Sequence, residues 1–194
     1  MSFFQAEKSL VRITQTLDAT CAANQTICVP LMADLASNIT TSSACKTDYD
    51  SQNPLVTQAH LGLLAYQTLY SASCLRNPET SAYCFADAVT NSSSSTDSYI
   101  YYLPLNVSLP GGSQPTCNSC LKNTMAVFDA ATANRKSAIA SDYVAAATQV
   151  NVQCGPKFVN ATLAAAVASG SSGTLVPGHM GILALGILVL GWIL

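Results

Sequence analysis

Apolar residues recur at spacings of three and four along most of this chain, which is the period of a helix rather than the alternation of a strand. From about Phe3 to Thr20 that spacing sets Leu10, Ile13, Leu17 and Cys21 on one stripe, predicting a helix that delivers its cysteine to the buried face. Cys28, Leu31, Leu35 and Ile39 repeat the pattern in a second, shorter helix. Asn53-Pro54 is a cap followed by proline at the first helical position, and it predicts a long helix through about Ser73. The core-facing stripe expected there is Leu55, Ala59, Leu63, Tyr66 and Tyr70.

A further helix is expected from about Cys117 to Ala133, with Cys117, Cys120, Leu121, Thr124, Met125 and Phe128 on one side. Another starts near Ser141 and stops at Cys154-Gly155-Pro156, where glycine past the last turn and then proline end a helix. Its inner stripe is Tyr143, Ala147, Val150 and Cys154. Between the helical halves, Asn91 to Ser95 reads as a polar loop, 98–109 as an extended segment, and Pro110-Gly111-Gly112 as a turn. The expected fold is mainly α, a disulfide-rich helical domain with a short extended segment near 98–109 and no internal repeat.

Cysteine usage places this domain in an oxidising compartment. Cys21, Cys28, Cys45, Cys74, Cys84, Cys117, Cys120 and Cys154 form an even set, which suits complete pairing in disulfides. Eight cysteines allow 105 connectivities, and spacing alone does not choose among them. Cys21 is expected near Cys28, and Cys74 near Cys84. With eight Lys plus Arg, a net charge of −2 and no basic run, the chain has no electrostatic footprint for nucleic acid or an anionic membrane surface.

Asn24, Asn38, Asn91, Asn106 and Asn160 each open an Asn-X-Ser/Thr sequon, the acceptor for N-glycosylation, which occurs on the side of the membrane where disulfides form. The C-terminal end reads in three zones: small residues from Ala168 to Gly173, a spacer to Met180, and an apolar run from Gly181 to Leu194. That is the order of a glycosylphosphatidylinositol (GPI) attachment signal. The apolar run has fourteen residues and nothing charged after it, against the roughly 17–25 that a spanning helix needs. Gly170 is the expected attachment residue, with Ser169 close behind. The opening Met1-Ser-Phe-Phe-Gln-Ala-Glu-Lys lacks the layout of a signal peptide, so the true start is expected upstream. The expected organisation is a cysteine-rich helical domain over 1–162, a Ser/Gly/Ala-rich stalk with the attachment region over 163–173, and a spacer with hydrophobic signal over 174–194, removed on maturation.

Candidate chemistry is sparse. Cys117-Asn-Ser-Cys120 is a Cys-X-X-Cys, but a Pro/Gly-rich turn precedes it where a redox motif wants a strand, and no second pair completes a zinc site. Structural disulfides are the expected use. His179 falls in the removed segment, which leaves His60, off the main apolar stripe and without a Gly-X-Ser-X-Gly elbow elsewhere to make a serine hydrolase. Paired carboxylates, the machinery of glycosidases, have candidates in Asp48, Asp50, Glu79, Asp87 and Asp97. Tyr99, Tyr101 and Tyr102 offer either sugar-stacking faces or packing faces, and packing is the expectation.

These residues resemble an uncharacterised fungal family of secreted, often GPI-anchored, cysteine-rich glycoproteins known as a domain of unknown function. The resemblance runs from Ser2-Phe-Phe-Gln-Ala and Leu17-Asp-Ala-Thr-Cys21 through Asn53-Pro-Leu-Val, Tyr83-Cys-Phe-Ala-Asp-Ala and Tyr101-Tyr-Leu-Pro-Leu to Pro115-Thr-Cys-Asn-Ser-Cys-Leu and Cys154-Gly-Pro-Lys-Phe-Val. It implies a filamentous fungus, a cell-surface or wall setting, and further cysteines upstream, and it brings no catalytic residue. The expected function is a non-catalytic structural, adhesive or signalling role at the extracellular face of the plasma membrane. The expected partners are the membrane, through the GPI lipid, and cell-wall polysaccharide; no cofactor is expected. The alternatives are a wall-polysaccharide enzyme with paired carboxylates and a small-ligand or metal carrier.

Overall fold

A computed structural model describes residues 3–167. Ser169, Gly170 and the apolar run to Leu194 lie outside the described residues. In order come α1 (Phe3–Ala6), α2 (Leu10–Cys21), α3 (Gln25–Ile39), α4 (Lys46–Asp50), α5 (Pro54–Ser73), α6 (Cys84–Thr90), a 3-10 helix (Asp97–Leu105), α7 (Ser119–Ala131) and α8 (Ile139–Cys154). The mainly α reading holds. Among the described residues the only strand-like pairing is a single antiparallel bridge between Arg76 and Tyr83. Among them, too, no helix is long and apolar enough to cross a membrane.

Local chemistry explains the helix starts. Asn24, Asn53 and Asn118 each cap a helix by accepting from a backbone N–H of its first turn, and Pro54 follows its cap as the sequence indicated. Gly155 ends α8 at φ +102°, a conformation that suits a residue without Cβ.

The core joins α2, α6, the 3-10 helix, α7 and α8. Ile13, Ile100, Leu103, Met125, Phe128, Ile139, Tyr143 and Val150 are among its fully buried large side chains. Of the stripes expected on α7 and α8, Cys120, Leu121, Thr124, Met125, Phe128, Tyr143, Ala147 and Val150 are buried, Cys154 is half-buried, and Cys117 lies before α7 and is exposed. In α2, Ile13 and Leu17 are buried, but Leu10 is half exposed because the helix begins there, after a break at 7–9.

Two expected stripes are corrected. On α3, Leu31 and Leu35 face solvent and the buried residue is Ala36, whose small side chain lets α3 lie against α5. On α5, Leu55 is 79% exposed and Ala59 is exposed, while Ala65 and Ala72 are buried. The extended segment expected near 98–109 is instead a 3-10 helix over Asp97–Leu105, since no neighbouring strand satisfies its backbone. Its left-handed end at Asn106 (φ +60°) and the Pro110–Ser113 turn return the chain toward α7. The stalk expected from 163 begins on the domain: Ala164 N–H donates to Thr132 Oγ1 at 2.9 Å, Arg135 donates to the Ala164 carbonyl at 2.6 Å, and Val167 N–H donates to the Ala133 carbonyl at 3.1 Å.

Three disulfides staple this core: Cys21–Cys74, Cys84–Cys120 and Cys117–Cys154, with Cα separations of 5.7, 5.2 and 5.4 Å. They close loops of 53, 36 and 37 residues. At those lengths the restriction of the unfolded chain stabilises by about 4 kcal/mol per bridge. Cys28 and Cys45 remain thiols, so the expectation of eight paired cysteines is corrected. Cys28 lies in the first turn of α3 and Cys45 beside its last residue, Ile39, about 16 Å along the helix axis, beyond the reach of a disulfide. Cys21 bonds Cys74 rather than Cys28, because α2 ends against the end of α5. Cys74 and Cys84 do run close, since Cys84 N–H donates to the Leu75 carbonyl at 2.9 Å, yet each bonds a different partner.

Candidate functional site

Between α5 and the stapled core lies a cleft of about 390 Å³. From α5 it is lined by Gly62, Tyr66, Leu69 and Tyr70. Leu17 and Thr20 of α2 and Phe85 and Val89 of α6 contribute further surface. Ser98, Tyr101, Tyr102 and Leu105 of the 3-10 helix complete it, with Glu7 from the break between α1 and α2. Tyr66 and Tyr70 of the expected α5 stripe border this space, and both are half-buried. The volume falls within the roughly 300–1,000 Å³ of ordinary small-ligand sites.

Most polar atoms around the cleft are already committed. Thr20 Oγ1 donates to the carbonyls of Thr16 and Leu17 at 3.0 and 3.3 Å, and Ser73 Oγ to that of Tyr70 at 3.4 Å. The Tyr70 hydroxyl donates to the carbonyls of Cys21 (2.6 Å) and Ala23 (3.1 Å), fixing the end of α2 onto α5 beside the Cys21–Cys74 bridge. The Tyr66 hydroxyl pairs with the Cys28 thiol. Tyr101 meets Thr124 Oγ1 at 3.3 Å. What these residues present to the cleft is therefore carbon. Among the described residues, Glu7, Ser98 and Tyr102 are the lining residues whose side chains make no hydrogen bond, and no Lys, Arg or His lines the cleft. Partial burial raises the Glu7 carboxyl above its ordinary value.

Gly62 is the lining residue that the sequence reading passed over. Glycine inside a helix costs roughly 0.5–1 kcal/mol relative to alanine, and a Cβ added at Gly62 would meet nothing within 4 Å. No steric demand on the fold explains the glycine; its effect is to leave the cleft open. A lone glycine in the middle of the best-capped helix was the available signal.

Of the candidates named from the sequence, Tyr101 and Tyr102 line this cleft and the others fall elsewhere. Tyr101 is a packing residue, edge-on to Phe85 and Phe128 with ring centroids 4.8 and 6.4 Å apart, and burial pushes its phenol up to about 12. Tyr102 is exposed and Tyr99 half-buried. His60 is half-buried, edge-on to Tyr49 at 4.9 Å. Asp48 and Asp50 stand on the outer face of α4, where Asp50 pairs with Lys46 at 2.8 Å, and Glu79 sits in an exposed turn.

Asp87 and Asp97 do line one pocket, with Tyr101 and Asn91, but its volume of about 60 Å³ is far below the roughly 300–1,000 Å³ of ordinary ligand sites. Asp97 is spent there: its carboxylate accepts from Ser94 Oγ and Asn91 Nδ2, both at 2.8 Å, and from the Thr116 N–H at 2.7 Å. It fastens the polar loop to the segment before α7. Cys117 and Cys120 bond Cys154 and Cys84 respectively, so the Cys-X-X-Cys is two structural half-bridges and not a dithiol. Among the described residues no group of three His, Cys, Asp or Glu side chains is placed to hold a metal ion.

The sequons divide by geometry. Asn24, Asn38 and Asn106 are exposed, and their amide nitrogens make no hydrogen bond among the described residues. Asn91 and Asn160 use theirs, toward Asp97 and Asp129, both at 2.8 Å.

Residues 1–163 match the model of a family described as Domain of unknown function (DUF7729). The chain belongs to that family. No curated protein and no solved structure matches it. Every residue that lines the cleft, from Glu7 to Leu105, lies inside the DUF7729 span, as do all three disulfides.

Proposed function

We propose that this is a secreted fungal glycoprotein, GPI-anchored at the outer face of the plasma membrane, which acts by holding a small apolar molecule in the α5 cleft rather than by catalysis. The observation that carries the binding role is the cleft: a space of ligand size whose walls are mostly carbon because the hydroxyls of Thr20, Tyr70 and Tyr101 are bonded inward. Three structural disulfides favour an extracellular, oxidising setting. The three sequons with free amides, Asn24, Asn38 and Asn106, support glycosylation there. Anchoring rests on the three zones after Ala168, with Gly170 or Ser169 as the attachment residue. The carboxylate pair at Asp87 and Asp97 gives a wall-polysaccharide enzyme little support, because its pocket is water-sized and Asp97 is already bonded.

Two measurements test the reading separately. Phosphatidylinositol-specific phospholipase C should release the protein from intact cells, and retention after treatment speaks against the anchor. Organic extraction of natively purified protein should yield a stoichiometric small molecule; turnover of β-glucan or chitin oligomers, abolished by replacing Asp87, would overturn the non-catalytic role.

A further inference from the structure

The cleft's free polar groups select among apolar molecules by charge. Glu7, Ser98 and Tyr102 line the cleft without a hydrogen bond, and among the described residues no cationic side chain lines it. A ligand carboxylate or phosphate in this space would lie near the Glu7 carboxyl with no positive charge to offset its lost hydration, which is costly in an apolar site. An ammonium head needs a full counter-charge when desolvated. Glu7 is the one carboxylate lining the cleft among the described residues, and desolvating it together with an ammonium costs about as much as the pairing returns. A hydroxyl needs neither: it donates to a carboxyl oxygen and accepts from a serine or tyrosine hydroxyl. Gly62 then fixes the bulk that fits, since its missing side chain leaves open the space that a larger residue would fill.

We propose that the cleft binds an uncharged lipid alcohol, an apolar body such as a sterol or a long alkyl chain carrying one hydroxyl head. This rests on the binding role given above and names its ligand class. Glu7, with Ser98 or Tyr102, holds the head; Leu69, Phe85 and Val89 meet the body.

Calorimetric titration of the full-length secreted protein with hexadecanol, a sterol, palmitate and hexadecylamine decides it. At least one of the two alcohols should bind tenfold or more tightly than palmitate and hexadecylamine. Glu7→Gln should narrow the deficit of palmitate relative to the alcohols. Gly62→Leu should weaken alcohol binding at least tenfold without lowering the melting temperature, with Gly62→Ala as the folded control that loses less. Palmitate or hexadecylamine matching the alcohols overturns the ligand class and leaves the binding role standing. Binding of none of the four overturns both. Alcohol binding that Gly62→Leu leaves unchanged overturns the assignment to this cleft.

Discussion

At the scale of the residue, two side positions of the cleft carry measurable consequences for stability. Gly62 sits in mid-helix with open space at its Cβ direction, so Gly62→Ala is expected to stabilise the fold by about 0.5–1 kcal/mol in chemical denaturation. A destabilised Gly62→Ala would mean that the space is filled in the native protein by something the geometry does not contain. Glu7 has the opposite character. Its carboxyl is raised above the ordinary 4.5 by burial, so folding disfavours the ionised form relative to the unfolded chain. The wild type therefore loses stability relative to Glu7→Gln as pH rises from below 4.5 through the folded value. Melting temperatures should coincide near pH 3.5 and separate at neutral pH with Glu7→Gln the higher; the reverse order would remove the argument that Glu7 is desolvated at the cleft.

The elements show what pattern conveys and what it does not. On α7 and α8 the large apolar residues are also the buried ones, so Met125, Phe128, Tyr143 and Val150 could be placed from spacing alone. On α3 and α5 the contacts are made by small residues. Ala36, Ala65 and Ala72 are the buried positions, while Leu31, Leu35 and Leu55 are exposed, and a reading that weights hydrophobicity chooses the larger side chains. Close helix approach, which rewards alanine, is a tertiary fact. Ala36→Leu should accordingly cost about 1–3 kcal/mol by overpacking, whereas Leu31→Gln should stay within about 0.5 kcal/mol. Equal costs in urea denaturation would restore the stripe that the leucines suggest. The 3-10 helix had its own signal, since Ile100 with Leu103 and Tyr101 with Pro104 recur every third residue and all four are buried. The β-forming composition of Tyr99 to Leu103 hid that period.

For the whole molecule, stapling is uneven. All three disulfides join the ends of α2, α5, α6, α7 and α8, and none touches α3 or α4, where the two thiols lie. Cysteine spacing does not reveal this, because pairing depends on which helix ends meet. Alkylation of denatured, unreduced protein should label two cysteines, Cys28 and Cys45, and labelling at any of the other six would contradict the map. The cleft was equally hidden: it exists because α5 stands off the core along the stretch where Gly62 leaves space, and no linear pattern encodes a void. The claim that this void is a binding site is tested most directly by titrating an apolar fluorescent probe into the folded wild type and the folded Gly62→Leu variant. Saturable one-site binding that weakens at least tenfold in the variant is the expected result, and superimposable titrations would contradict it.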